Sequence, residues 1–185
     1  MTTSAVTLER PKAGEYNPYY DRYISLIPGN DIIATLAAEL PKTVALLSSR
    51  SADPDLRYAP GKWSVKEALG HIIDTERIMA YRALRIARND RTPIEGYEQD
   101  DYVKNGPYAA LHLSNLVEEF KTVRAATLSL FRNLRPEDWT RAGIANKNEI
   151  TVRALAYVIA GHELHHRQIL EERYFNSEAR RAKIA

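Results

Sequence analysis

Apolar residues recur along most of this chain at intervals of three and four, the spacing of one helical face, while the strict alternation that marks a strand is nearly absent. Residues 1–30 form a polar entry carrying Tyr16, Tyr19, Tyr20 and Tyr23 and ending in the turn Pro28-Gly29-Asn30. The stripe Ile32, Ile33, Leu36, Ala37, Leu40, Val44 and Leu47 predicts a first helix from Asp31 to about Ser49, with Pro41 as a point for a kink. A loop over 51–62, with Pro54 and Pro60, separates it from the next helix. There Ser64 and Glu67 form a capping-box pattern with Trp63 just outside, and Val65, Ala68, Leu69, Ile72, Ile73, Met79, Ala80, Ala83, Leu84 and Ala87 carry the stripe to about Arg88. Residues 89–110, with Pro93, Gly96, Gly106 and Pro107, read as an irregular crossover, long enough to be a functional loop. A third helix follows on Leu113, Leu116, Val117, Phe120, Thr127, Leu130, Phe131 and Leu134. Pro136 to Trp139 suggests a short helical turn, residues 140–149 a polar loop, and a last helix runs from about Thr151 to Phe175. The expected fold is an all-α four-helix bundle, one domain over residues 1–185, with the long crossover between its second and third helices and residues 1–30 packed on or flanking it.

Composition narrows the class. With 185 residues, 44% hydrophobic and 27% charged, the chain can close a single soluble core. A formal charge of +2 denies it the strongly single-signed surface that nucleic-acid binding draws on. Arg77, Arg82, Arg85, Arg88 and Arg91, and the tail residues Arg180, Arg181 and Lys183, are then best read as solvated faces laced with acidic neighbours. The absence of cysteine excludes disulfides, thiolate metal sites and a thiol nucleophile. The longest apolar run, 154–160, is too short for a membrane span, and the first ten residues lack the order of a signal peptide, so a soluble, cytoplasmic protein without membrane partners is expected.

The densest chemistry is His162-Glu163-Leu164-His165-His166, within the last helix. At 100° per residue, His162 and His166 stand about 40° apart inside the stripe of Leu155, Ile159 and Ile169, so both imidazoles face inward. Two inward histidines one turn apart can share a divalent first-row metal or bond carbonyls and carboxylates; both readings stand at this level. His162-Glu163-x-x-His166 also matches the zinc-protease helix literally, but only 19 residues follow His166, and Glu171 and Glu172 are too near on the same helix to fold back as a third ligand. Glu163-x-x-His166 is half of a di-iron signature without a second copy. His71 on the second helix is the best third ligand, although an ideal wheel puts it about 140° from the centre of its stripe. Glu76 sits at that centre, either as a partner orienting a site residue or in a buried ion pair. His165 falls about 60° to the other side of His162, which makes it a neighbour of the site, as a hydrogen-bonding group or proton carrier, and not a ligand. His112, in a polar context, reads as solvated.

The string Tyr58-Ala59-Pro60-Gly61-Lys62-Trp63-Ser64, then Glu67, Gly70-His71, Asp74, Glu76-Arg77, Tyr81-Arg82-Ala83-Leu84-Arg85 and Ala87-Arg88, resembles the DinB-like family. The entry from Glu15 to Tyr20, the stretch from Gly96-Tyr97 to Tyr102-Val103, and Gly161-His162 with His165-His166 extend the resemblance along most of the chain. It implies a four-helix bundle with a long crossover, usually dimeric, holding nickel or zinc on three histidines, here His71, His162 and His166. Glu163, His165 and Glu76 become candidates for residues behind those ligands. Relatives in that family include transferases and isomerases that use mycothiol, bacillithiol or glutathione, and others induced by DNA damage, so a low-molecular-weight thiol and a small-molecule substrate are the partners implied.

Two function classes follow. One is a metal-dependent enzyme, a thiol-dependent transferase or isomerase or else a hydrolase; the other is a metal-bearing stress or interaction module without turnover. An enzyme should show a cavity reaching the metal's open position, and a structural site should be closed by a fourth protein ligand.

Overall fold

The structure is a computed structural model that describes residues 9–49 and 53–176. The tail residues Arg180, Arg181 and Lys183, and the first eight positions of the entry, lie outside the described residues. Four long helices form the bundle: α2 (Ile32–Ser48), α3 (Val65–Ala87), α5 (Leu113–Arg132) and α6 (Val152–Ile169), with short α1 (Asp21–Ile24) and α4 (Gln99–Asn105) added to it. Helix α3 packs against α5 and α6, and α2 packs against the same two, so the consecutive helices α2 and α3 sit diagonally across the bundle.

The helix starts are chemically specified. Asp31 accepts from the Ala34 N–H at 2.9 Å, and Thr151 accepts from the Ala154 N–H at 3.2 Å. At α3 the capping box is complete: Ser64 accepts from the Glu67 N–H (3.2 Å) and Glu67 accepts from the Ser64 N–H (2.7 Å). Beyond Ile169 the last helix widens into a π-helical turn, Leu170–Phe175. Pro136–Thr140 forms the expected short turn as a 3-10 helix.

Two expectations fail. The crossover is not wholly irregular, because it carries α4 and a 3-10 turn at Tyr108–Ala110. Residues 140–149 are not a loop: Ala142–Ala145 (β1) and Asn148–Thr151 (β2) form an antiparallel hairpin. Its two turn residues, Asn146 (φ 48°) and Lys147 (φ 64°), both adopt left-handed backbone, as a tight hairpin turn requires. With Lys in place of the usual Gly and only four residues per strand, neither the turn nor the alternation stood out.

Two apolar clusters divide the interior. Around Ile32, Leu36, Met79, Phe131 and Leu155 lies one, and around Leu47, Leu69, Ile72, Leu116 and Phe120 the other. Each long helix passes between them through buried polar residues: Thr43 on α2, His71, Thr75 and Glu76 on α3, Arg124 and Thr127 on α5, His162 and Glu163 on α6. A polar layer thus crosses the middle of the bundle, and the candidate chemistry sits in it. No described helix is long and apolar enough to cross a membrane.

Candidate metal centre

Two glycines bring the walls of the site together. A Cβ on Gly161 would meet the Tyr23 carbonyl oxygen at 2.1 Å, and one on Gly70 would meet the Tyr108 ring at 2.3 Å. Each glycine directly precedes an inward histidine, so the chain packs closely beside His162 and His71 without a clash.

Three imidazoles converge between α3 and α6. His71 Nε2 lies 2.9 Å from His162 Nε2, His166 Nε2 lies 3.1 Å from the same atom, and all three ligand atoms fall within 4.8 Å of one another. His71 and His162 are buried and His166 is partly buried. The wheel position of His71 suggested an edge; the residue is enclosed because α3 is covered by α5 on one side, by α6 on another and by the Tyr108 turn. Trp63 packs over His71 with ring centroids 4.7 Å apart, and Tyr23 meets His162 edge-on at 5.3 Å. Neither aromatic stood out in the sequence as part of the site; the position of Trp63 just before a capped helix was the available signal for it.

Burial sets the protonation states. It pushes the His71 imidazole down to about 4. Burial first, then the facing imidazoles, hold His162 and His166 well below the usual histidine range. All three are neutral at pH 7. A neutral imidazole nitrogen either donates or accepts, so His162 Nε2, facing two others, cannot form a good hydrogen bond with both. A cation accepted by three lone pairs removes the conflict, and nitrogen separations of about 3 Å suit atoms that each lie about 2 Å from one ion. The donor set fits a divalent first-row metal. Among the described residues no fourth His, Asp or Glu joins this group.

The other candidates lie nearby without joining it. His165 is half-buried, its ring 5.4 Å from Tyr23 and 5.3 Å from His166, and burial with Arg22 and Arg173 lowers its pKa. Glu76 and Glu163 point to the far side of the polar layer. Arg124 Nε and Nη2 donate to the two oxygens of Glu76 at 2.8 Å, Nη1 donates to the Leu36 carbonyl at 2.8 Å, and Nη2 lies 2.8 Å from Glu163 Oε2. Thr43 Oγ1 donates to Glu163 Oε1 at 2.7 Å. Their bonds run to Arg124 and Thr43, so Glu163 stands neither as a protease base nor as a di-iron ligand. His112 is exposed before α5.

Two cavities reach the imidazoles. One of about 480 Å³ touches His162 and runs between α3, α6 and the hairpin; the other, about 350 Å³, touches His166 and is walled by Tyr58, Trp63 and Tyr174. Gln99 and Asp100, at the start of α4, line both. The surface arginines behave mostly as expected, with Arg77 on Glu119 (2.6 Å) and Arg85 on Asp90 (2.6 Å). Arg82 does not: it is 2% exposed and lines the larger cavity.

A family model, that of the DinB superfamily, matches residues 34–170. Among solved structures, YfiT from Bacillus subtilis, described as "a probable metal-dependent hydrolase with an unusual four-helix bundle topology", aligns with a TM-score of 0.65 at 16% identity, over 96% of this chain and 95% of its own. The mycothiol-dependent maleylpyruvate isomerase aligns with a TM-score of 0.64 at 11% identity, over 78% of this chain and 61% of its own. At these identities the likeness is one of fold. No curated protein matches the sequence.

Proposed function

The chain belongs to the DinB superfamily, and from that premise we propose that it is a metal-dependent enzyme acting on small molecules, with one divalent ion, nickel or zinc, held by His71, His162 and His166. The observation that carries this reading is the convergence of three neutral, largely buried imidazole nitrogens beside cavities, with no fourth protein ligand among the described residues. A purely structural site has no use for an open position reached by cavities of about 480 and 350 Å³. Such an ion, when bound, supplies Lewis acidity that brings a coordinated water to a pKa of roughly 7 or holds a thiol as its thiolate.

The chain's own groups do the rest. Trp63 and Tyr23 shield the imidazoles from bulk water, which keeps them neutral and fixed in orientation. His165, neutral at pH 7 and packed against His166, is placed to take up or return a proton. Two cavities that reach different histidines favour a two-substrate reaction, a thiol in one and its acceptor in the other, over simple hydrolysis. The homodimer implied by the resemblance and the cytoplasmic location expected from the sequence's composition belong to the same proposal, and sedimentation at micromolar concentration checks the first.

The test is elemental analysis of the purified protein and its histidine variants. About one metal per chain is expected, lost in His162→Ala and His166→Ala, severely weakened in His71→Ala and retained in His165→Ala, whose turnover alone should fall. A metal-free but folded His165→Ala beside a metal-replete His166→Ala would overturn the ligand assignment. In cobalt-substituted protein, a new absorption band on adding mycothiol, bacillithiol or glutathione would mark thiolate ligation, and its absence with all three would favour the hydrolase.

A further inference from the structure

The larger cavity has a direction. His71, Thr75, Met79 and Arg82 fall at steps of four, four and three along α3, so they line up on one helical face that runs from the imidazoles to a buried guanidinium. Thr75, Met79 and Arg82 line the cavity, and on the opposite wall Val158 and His162 mark one turn of α6. Arg82 lies eleven positions beyond His71 along α3, a rise of about 16 Å.

The guanidinium is buried, and every contact it makes with the described residues is neutral. Arg82 Nη2 donates to the Glu95 carbonyl at 2.9 Å, Nη1 lies 3.6 Å from Met79 Sδ, and among the described residues Nε has no partner. The Tyr20 phenol lies beside it and the Tyr97 ring 6.0 Å away. Among the described residues no carboxylate pairs with it within 4.0 Å, although Glu98, Asp100 and Glu149 line the same cavity; all three are exposed to water. A cation out of water without an anion is a costly arrangement, and this one is aimed into a space that a ligand can enter.

We propose that Arg82 seats the carboxylate of an elongated small-molecule substrate whose body lies along the α3/α6 wall and whose far end reaches the histidines. This rests on the metal-enzyme reading for the identity of the far end. A planar carboxylate matches the guanidinium fork and the single charge offered. A dianion such as a phosphate ester is disfavoured because three acidic side chains line the same cavity against one arginine. Between the two ends, Met79, Val158 and Ile150 offer an apolar path.

The test uses the purified full chain with its metal content measured alongside. Acetate, benzoate and 4-phenylbutyrate are titrated against their neutral amides by ligand-observed NMR. At least one carboxylate should bind tenfold or more tightly than its amide, with the longer pair showing the larger preference. Arg82→Gln should bring that preference below threefold while metal content stays unchanged. Binding of every carboxylate within threefold of its amide, or a preference that survives Arg82→Gln, overturns the proposal. Should Arg82→Gln fail to fold, the comparison on the unaltered protein still decides. A metal-free protein that keeps the preference supports the seat while removing the metal reading, and a metal-replete protein without it does the reverse.

Discussion

Arg124 and Arg82 are both buried in this bundle, and their surroundings are opposite. Arg124, fully buried on α5, meets two carboxylates and a carbonyl. Arg82, 2% exposed on α3, meets a carbonyl, a thioether and tyrosines. Both charges are supplied by the sequence, but only one receives its counter-charges from the fold. The α2/α5 side of the polar layer pairs its charges internally: Arg124 ties α3, α6 and α2 to α5 through Glu76, Glu163 and Leu36. The α3/α6 side is incomplete, with imidazoles that face one another and a guanidinium that faces a cavity. Polar groups that satisfy each other specify the packing, and polar groups left over specify what comes from outside.

The largest effect that could break this contrast is on stability. Arg124→Met leaves Glu76 and Glu163 buried without their cation and should cost about 3–5 kcal/mol in urea unfolding. A cost under about 1 kcal/mol would mean that this side does not hold the helices together.

Next comes acid. His71 titrates at about 4 in the fold against an ordinary value of 6.5, so between those pH values the unfolded chain binds more protons than the native one. Stability of the metal-free protein should therefore be fully present above pH 6.5 and fall as pH drops toward 4, by about 3 kcal/mol from His71 alone. Replacing the residue, as in His71→Phe, should flatten that slope in urea midpoints taken across the same range. Bound metal should steepen it, because protonated imidazoles release the ion.

The smallest effect sharpens the comparison most. Arg82→Met removes a charge that has no ion-pair partner among the described residues, so stability should change by less than about 1 kcal/mol or rise. Equal losses at Arg82 and Arg124 would erase the distinction between them.

Much of the bundle was legible because its signals are local. Ser64 and Glu67 marked the start of α3 within one turn, and the stripes of α2, α3, α5 and α6 announced their inward faces. His162 and His166 could be paired from helical geometry alone, since four residues bring side chains to one face. The β1/β2 hairpin was illegible because its turn is Asn-Lys and its strands are four residues each. Arg82 was misread because a run of arginines under a near-neutral total reads as a solvated face, whereas α3 is covered on more than one side. Glu76 was readable as a buried charge, but Arg124, its partner 48 residues away, carried no mark of being buried.

The amino-acid sequence by itself determined the four long helices, the capping box of α3, the inward turn of His162 and His166, and the lack of any thiol chemistry in the chain. These follow from backbone hydrogen bonding, side-chain periodicity and composition, which act within a few residues. Only the tertiary structure decided that His71 completes the trio, that Glu76 and Glu163 serve Arg124, and that Arg82 ends inside a cavity. Those outcomes depend on how helices distant in sequence are arranged around the bundle, because the electrostatic fate of a buried charge is set by which neighbours that arrangement brings within a few ångströms of it.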